Sequence, residues 1–230
     1  MKFVNVAIDG PAGAGKSTIA KAAAKDLGYI YVDTGAMYRA CALYALNSGI
    51  DIASQRDALI AALDDIVINI KYKDAQQRIF LCGDDVSERI REPDITALSS
   101  DIAVIPEVRL KLVELQRKLA EGTNVIMDGR DIATYVLPDA DVKIFLTASV
   151  EERARRRVLQ MKASGMDADT ESVRKDIIRR DKNDSEREFA PLRQAEDAVL
   201  LDTSDIDFDT ALSEVKKIID AKTGVISCVL

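Results

Sequence analysis

Gly10-Pro11-Ala12-Gly13-Ala14-Gly15-Lys16-Ser17, followed by Thr18, satisfies the pattern G-x-x-x-x-G-K-[ST] at every fixed position. Residues of these types at this spacing bind phosphate. The glycines let backbone N–H groups turn toward an anion, and a following helix start adds partial positive charge. Lys16 can reach the β- and γ-phosphates of a nucleotide such as ATP, and the Ser17 hydroxyl can hold Mg²⁺. A glycine-rich helix cap is the plainer alternative, but the setting argues against it. Phe3 to Ile8 is an apolar, β-branched run that predicts a strand. Thr18 to Leu27 carries Ile19, Ala20, Ala23, Ala24 and Leu27 at helical spacing.

Three further clusters have the chemistry of a second anionic ligand. Asp33-Thr34-Gly35-Ala36-Met37-Tyr38-Arg39 puts polar groups at a strand's carboxyl end, where ligands gather in open α/β sheets. Arg39 lies about one helical turn beyond Thr34, so both could face the same ligand; a solvated helix arginine is the plainer alternative. Asp128-Gly129-Arg130-Asp131 follows another strand. Arg130 offers a planar fork to phosphate, and Asp131 accepts hydrogen bonds from sugar hydroxyls or a base amine. A turn with a local ion pair would read the same way. In Arg179 to Arg187, residues Arg180, Asp184 and Arg187 share one helical face. A mixed-charge run is usually a solvated surface, but Arg153, Arg156 and Arg157 nearby favour a lid over a triphosphate.

These clusters need a scaffold, and the pattern of the chain supplies one. Strands are expected at Tyr29–Val32, Asn124–Met127, Val142–Leu146 and Ala198–Leu201, with helices at 36–48, 107–121, 151–165, 171–180 and 208–221. Ser54, with Asp57 three residues on, predicts another helix running to about Asp65. Alternating Ile66, Ile68 and Ile70, then Arg78 to Cys82 and Val86, predict a small antiparallel patch, with turns at 74–77 and 83–84. Pro93 and Pro106 punctuate the stretch between this patch and the helix at 107–121. Strands separated by helices predict an α/β fold, a parallel sheet flanked by helices with an inserted β subdomain.

Composition narrows the function. The chain has 230 residues, enough for one α/β domain with an insertion. It has no histidine, which excludes Ser-His-Asp and Cys-His chemistry and any His-ligated metal. Cys41, Cys82 and Cys228 are widely spaced and odd in number, so a reducing, cytoplasmic setting is expected rather than disulfides or zinc. Met1-Lys2-Phe3 leads directly into the first strand, so no secretory leader is expected, and no apolar run is long enough to cross a membrane. A net charge of −7 argues against binding a nucleic-acid polymer. No glycine has Asp three residues before it and no asparagine precedes lysine, so the D-x-x-G and N-K-x-D signals of GTPases are absent.

At this point the chain resembles the bacterial cytidylate kinases, of the nucleoside monophosphate kinase family. The resemblance lies in Ile8-Asp9-Gly10 through Thr18, Asp33 through Arg39, Asp128 to Asp131, Leu137-Pro138-Asp139-Ala140, and Arg180 through Leu192. It implies a P-loop kinase fold with an arginine-rich helical lid at about 151–189, a core at 1–35, 107–150 and 190–222, and a monophosphate-binding region with the β insertion at about 36–106. It implies ATP as donor with Mg²⁺, CMP or dCMP as acceptor, and a cytoplasmic monomer. Residues 10–18 and Arg157 would bind ATP, and Ser17 the metal, with Asp128 at its bound water. Asp33, Thr34 and Arg39 would meet the acceptor's monophosphate side, Ser100 and Asp131 its cytosine, and Arg109 the same pocket. Arg130 would hold the acceptor phosphate; Arg180, Asp184 and Arg187 would serve its sugar and phosphate. Lys16, Arg130, Arg153, Arg156 and Arg180 would carry catalysis. Thr34 stands where the family often has serine, and Ala133 where it often has glycine. The tail 223–230 has no expected role. A kinase for UMP, AMP or shikimate is the alternative enzyme, and a module that holds ATP without transfer is the non-enzymatic one.

Overall fold

The computed structural model describes residues 3–73, 76–163 and 165–224; Cys228 and most of the C-terminal tail lie outside them. The chain forms two compact units, Met1–Tyr31 with Gly122–Leu230, and Val32–Glu121.

The first unit is built on a five-stranded sheet in the order β2-β6-β1-β7-β8. Its strands are β1 (Asn5–Asp9), β2 (Ile30–Asp33, which runs on into the second unit), β6 (Val125–Gly129), β7 (Val142–Thr147) and β8 (Val199–Asp202). β1 pairs in parallel with β6 and β7, and β7 in parallel with β8. On one face, Val6, Ile8, Ile126, Val142, Ile144 and Leu146 pack with helices α1 (Lys16–Leu27) and α8 (Phe208–Thr223). Ala20, Ala23 and Ala24 let α1 lie close to the strands, while Ala211, Val215 and Ile219 form the buried stripe of α8. β1 is the central strand of the five, so the phosphate loop that follows it leaves the middle of the sheet at its carboxyl edge.

Helices α6 (Val150–Ala163) and α7 (Thr170–Glu186) pack through a small apolar seam of Ala154, Val158, Val173 and Ile177. The Asp169 carboxylate caps α7 by accepting the Ser172 N–H at 2.8 Å. That cap lets α7 start at Thr170, and the helix runs six residues past the expected end at Arg180. Arg180 and Asp184 therefore sit on it and Arg187 is its C-terminal cap.

The second unit joins α2 (Thr34–Asn47), α3 (Arg56–Ala61), α4 (Pro93–Ile102) and α5 (Pro106–Ala120) to an antiparallel sheet, β3 (Ile68–Lys73), β4 (Gln76–Leu81) and β5 (Asp84–Asp85). Ile68 lies opposite Leu81 and Ile70 opposite Ile79, so the predicted alternation is the inner face of this sheet. Ala40, Leu43, Ile95, Ile102, Val108 and Leu112 complete its core. The resemblance assigns 107–121 to the core of the sheet domain, but Val108 and Leu112 of α5 are buried with α2 and α4. The helix expected from Ser54 begins instead at Arg56, because the Ser54 hydroxyl is donated to the Asp51 carboxylate at 2.5 Å and caps nothing. Asp84, expected in a turn, pairs with Leu81 across β4–β5; the turn is Cys82-Gly83, both at positive φ. Pro93 opens a helix that the sequence marks only as punctuation, and Pro106 opens another; both are first-turn prolines, whose missing N–H has no partner to lose.

Gly10 follows β1 directly at φ +147°, and a Cβ there would lie 1.9 Å from the Leu146 carbonyl oxygen of β7. Gly10→Ala is expected to cost ~3 kcal/mol or more in urea unfolding, from strain and clash together. An unchanged midpoint would show that β1 and β7 do not approach this closely.

Candidate active site

The phosphate loop leads into α1 through Gly15 at φ +90°, with no side-chain cap and no acidic residue in the first turn. The first amides of this helix thus have no side-chain anion of their own, which suits an incoming phosphate. Lys16 is buried and its Nζ donates to the Pro11 carbonyl at 2.8 Å. Burial, and then the charge of Arg130, bring its pKa down to about 7 against the opposing pull of Asp128, Asp184 and Asp9. The Ser17 hydroxyl donates to Asp128 Oδ2 at 2.8 Å, and the Tyr31 hydroxyl donates to Asp128 Oδ1 at 2.8 Å. Thr18 follows on the exposed side of the helix start.

Arg153 of α6 lies against this loop. Its side chain is buried; Nε donates to the Ala148 carbonyl and Nη1 to the Ala12 carbonyl, each at 2.9 Å. The same guanidinium pairs with Asp181 at 2.7 Å, and Asp181 accepts the Ala12 N–H at 3.4 Å. Arginine and aspartate together hold both polar groups of one loop residue. Arg156 pairs with Glu152 at 2.7 Å and donates to the hydroxyl and carbonyl of Thr203. Its Nη1 would be 3.8 Å from a Cβ at Gly15. Arg157 donates to Gln160 at 2.8 Å.

A second charge network continues from β6. Arg130 Nε donates to Asp184 Oδ2 at 2.8 Å. Burial works against the Arg130 charge, but Asp184, Asp128 and Asp181 more than offset it, and the proton is held more tightly than usual. Burial likewise works against the Asp184 carboxylate, yet Arg130, Arg187 and Arg180 hold its pKa below the ordinary value. Arg187 pairs with Asp131 at 3.2 Å and reaches Asp184 at 3.8 Å. Arg130, Asp131, Arg180, Asp184 and Arg187, from separate stretches of sequence, thus form one cluster with Lys16 and Asp128. In the sequence Asp9 stands out only as part of a matching stretch. It is buried at the end of β1 and accepts the N–H groups of Ile132 and Ala133 at 2.9 and 2.7 Å. Burial pushes its pKa up to about 7 in spite of these two donors.

The second unit carries its own set. Asp33 caps α2 by accepting the Ala36 N–H at 2.9 Å, and its other oxygen pairs with Arg39 at 2.9 Å. Gln77 Oε1 of β4 accepts the Asp33 N–H at 2.9 Å. Thr34 is buried in the first turn of α2, and Ser100 is half-buried on α4. Arg109 of α5 is 1% exposed, lies 5.4 Å from the Tyr38 ring centroid and donates to the Ala103 carbonyl at 3.0 Å.

The family model for cytidylate kinase matches residues 6–221 of this chain. The chain belongs to the cytidylate kinase family. The cytidylate kinase of Caldicellulosiruptor saccharolyticus is 52% identical over 215 residues, covering 94% of this chain and 95% of that one. The cytidylate kinase of Lactobacillus johnsonii is 48% identical over 220 residues, covering 96% and 95%. In fold, the chain is similar to the crystal structure of an uncharacterized protein from Eubacterium ventriosum, at TM-score 0.53 and 14% identity, covering 95% of this chain and 99% of that one.

Sequence reasoning toward a cytidylate kinase misses Tyr31, Asp181, Gln77 and Thr203, and passes over Asp9. Each acts through a hydrogen bond to a residue distant in sequence, so no local pattern marks it. Asp9 and Asp181 do carry one signal: each is an aspartate inside a stretch singled out for other residues.

A carboxyl whose pKa is lowered by folding adds stability that is complete above its unfolded value, near pH 4, and is lost as pH falls through the folded value. Asp184→Asn is therefore expected to lower stability at pH 7 by about 2 kcal/mol, a buried-pair loss discounted for partial exposure. The gap from wild type should narrow toward pH 3 in thermal unfolding. A gap independent of pH would mean that the arginines do not set this titration.

Proposed function

We propose that this chain transfers the γ-phosphoryl group of ATP to CMP or dCMP, giving ADP and CDP or dCDP. The observation that carries this is the uncapped phosphate loop, with buried Lys16 beside the Arg130–Asp184–Arg187–Asp131 cluster, in a chain about half identical to curated cytidylate kinases. Phosphoryl transfer asks a protein mainly for in-line positioning and charge stabilisation. The loop amides and Lys16 take the donor's β- and γ-phosphates. Arg130 takes the acceptor's phosphate, with Arg180 beside it. Asp131 accepts from the base, and Asp184 from the sugar hydroxyls. In the second unit, Thr34, Arg39, Asp33, Ser100 and Arg109 are assigned to the acceptor, Ser100 to its base. Arg156 and Arg157 are assigned to ATP, and Arg153 is assigned to hold the loop at Ala12. The acceptor phosphate is already an anion, so no strong general base is required, and a chain without histidine meets the demand.

The donor set suits Mg²⁺. Ser17 and Asp128 offer hard oxygens 2.8 Å apart. Among the described residues no cluster of three or more His, Cys, Asp or Glu side chains could hold an ion. That fits a metal carried largely by phosphate oxygens. Ser17 would ligate it directly and Asp128 through its water, and it would supply charge to the donor phosphates. No described helix is long and apolar enough to cross a membrane. The chain is taken to act as a monomer in the cytoplasm, on small nucleotides rather than on a nucleic-acid polymer.

A coupled ADP-release assay over AMP, CMP, dCMP, GMP and UMP tests this. CMP and dCMP are expected to be the best acceptors; a faster UMP or AMP would replace the assignment. Arg180→Ala is expected to lower the CMP rate on the order of 10³-fold, by analogy with other transition-state arginines. A rate near wild type would remove Arg180 from the site.

A further inference from the structure

An aspartate just before a helical turn ordinarily turns its carboxylate back to accept the first free N–H groups. Asp131 stands in that position before the π-type turn Ile132–Val136, yet it makes no such bond. The turn is closed behind it by the Asp131 carbonyl, which accepts from Tyr135 at 2.9 Å and Val136 at 3.1 Å. The amides of Ile132 and Ala133 are taken instead by Asp9, 123 and 124 positions earlier in the chain. Asp9 commits one carboxylate oxygen to each, and it is 1% exposed. The Asp131 carboxylate, which does not cap this turn, pairs with Arg187 at 3.2 Å.

We infer that Asp9 is a positioning residue for acceptor choice: by capping Ile132 and Ala133 from a distance, it keeps the Asp131 carboxylate directed at the acceptor base. This rests on the proposal above that Asp131 accepts a hydrogen bond from the base. The exocyclic amine of cytosine donates to such a carboxylate. Uracil presents a carbonyl at the same place, whose lone pairs face the carboxylate and are repelled. Discrimination thus depends on where Asp131 points. If the two amides lost their remote acceptor, Asp131 would have a nearer use as a local cap. Ala133 falls in the same segment. Its N–H is one of the two that Asp9 holds and its side chain is buried, so a methyl group is accommodated where the family often has glycine.

Asparagine is the informative replacement at Asp9. It has the same shape, but it offers one oxygen acceptor and an NH₂ group that opposes the second N–H. For Asp9→Asn, the ratio of kcat/KM for CMP over UMP is expected to fall roughly 10-fold or more, since small misplacements of a binding group carry costs of this order. KM for CMP should rise more than KM for ATP, which Asp9 touches only as the last of several charges acting on Lys16, and general destabilisation would not produce that split. In an Asp131→Ala background, Asp9→Asn should change the ratio no further. A preserved ratio in Asp9→Asn, with the ratio lost in Asp131→Ala, overturns the role of Asp9 and leaves the base-reading role of Asp131 intact. A preserved ratio in Asp131→Ala removes that role and this inference with it. If Asp9→Asn does not fold, amide hydrogen exchange in the wild-type protein decides. Slow exchange at Ile132 and Ala133 without nucleotide is expected, and exchange at the rate of an open loop overturns the inference.

Discussion

The site depends on a lysine ammonium held almost entirely out of water. Lys16 is 5% exposed, and both its burial and the neighbouring Arg130 favour loss of its proton. Asp128, Asp184 and Asp9 oppose this, but the hydrogen-bond partner of Nζ is the neutral Pro11 carbonyl. The loop around it follows the same rule, since α1 begins without a side-chain cap or a first-turn acid. The helix start carries no side-chain anion of its own, so its dipole favours a phosphate more than it would at a start already capped by a carboxylate. The remaining geometry serves to hold this unsatisfied region still.

The arginines are treated differently. Arg39, Arg130, Arg153 and Arg187 each face an aspartate, and none has a side chain more than 25% exposed. Such pairing fixes a flexible side chain before the ligand arrives, so less ordering entropy is lost on binding. It does not consume the guanidinium, which has five N–H donors against two carboxylate oxygens. A net charge of −7 does not argue against the proposed anion site. The whole-molecule charge bears on encounter and solubility, whereas local, oriented donors decide what is held.

The fold is largely legible in the sequence because its signals are periodic. The strand–helix alternation, the phosphate loop and the small antiparallel patch all lie in patterns of two to eight residues. Even the short arginine runs can be read, because a helix places i, i+4 and i+7 together. What cannot be read is pairing over distance. Asp181 and Ala12 are 169 positions apart, and Arg153 reaches Ala12 across 141. From sequence, Arg153 belongs to a lid over ATP together with Arg156 and Arg157; its hydrogen bonds show it also supporting the loop backbone. The helix at Pro93 escapes for a simpler reason. Proline disfavours helix interiors but suits a first turn, and only the neighbouring Ile95 and Ile102 packing against α2 decides which applies.

The end of β1 joins these two aspects of the site. Gly10 must lack a side chain because the Leu146 carbonyl occupies the space where a Cβ would be, and this fixes where the phosphate loop departs. Asp9, one residue before, points the other way along the sheet edge to the backbone of Ile132 and Ala133. β1 lies between β6 and β7, and Asp9, its last residue, is in register with Gly129 on one side and Phe145 on the other, so it cannot shift without breaking parallel pairing on both sides. The loop assigned to the donor and the carboxylate assigned to the acceptor base are thus set from the last residue of the central strand and the glycine that follows it. Relative placement within a fraction of an ångström is what in-line transfer requires, and a central strand meets that requirement better than a loop.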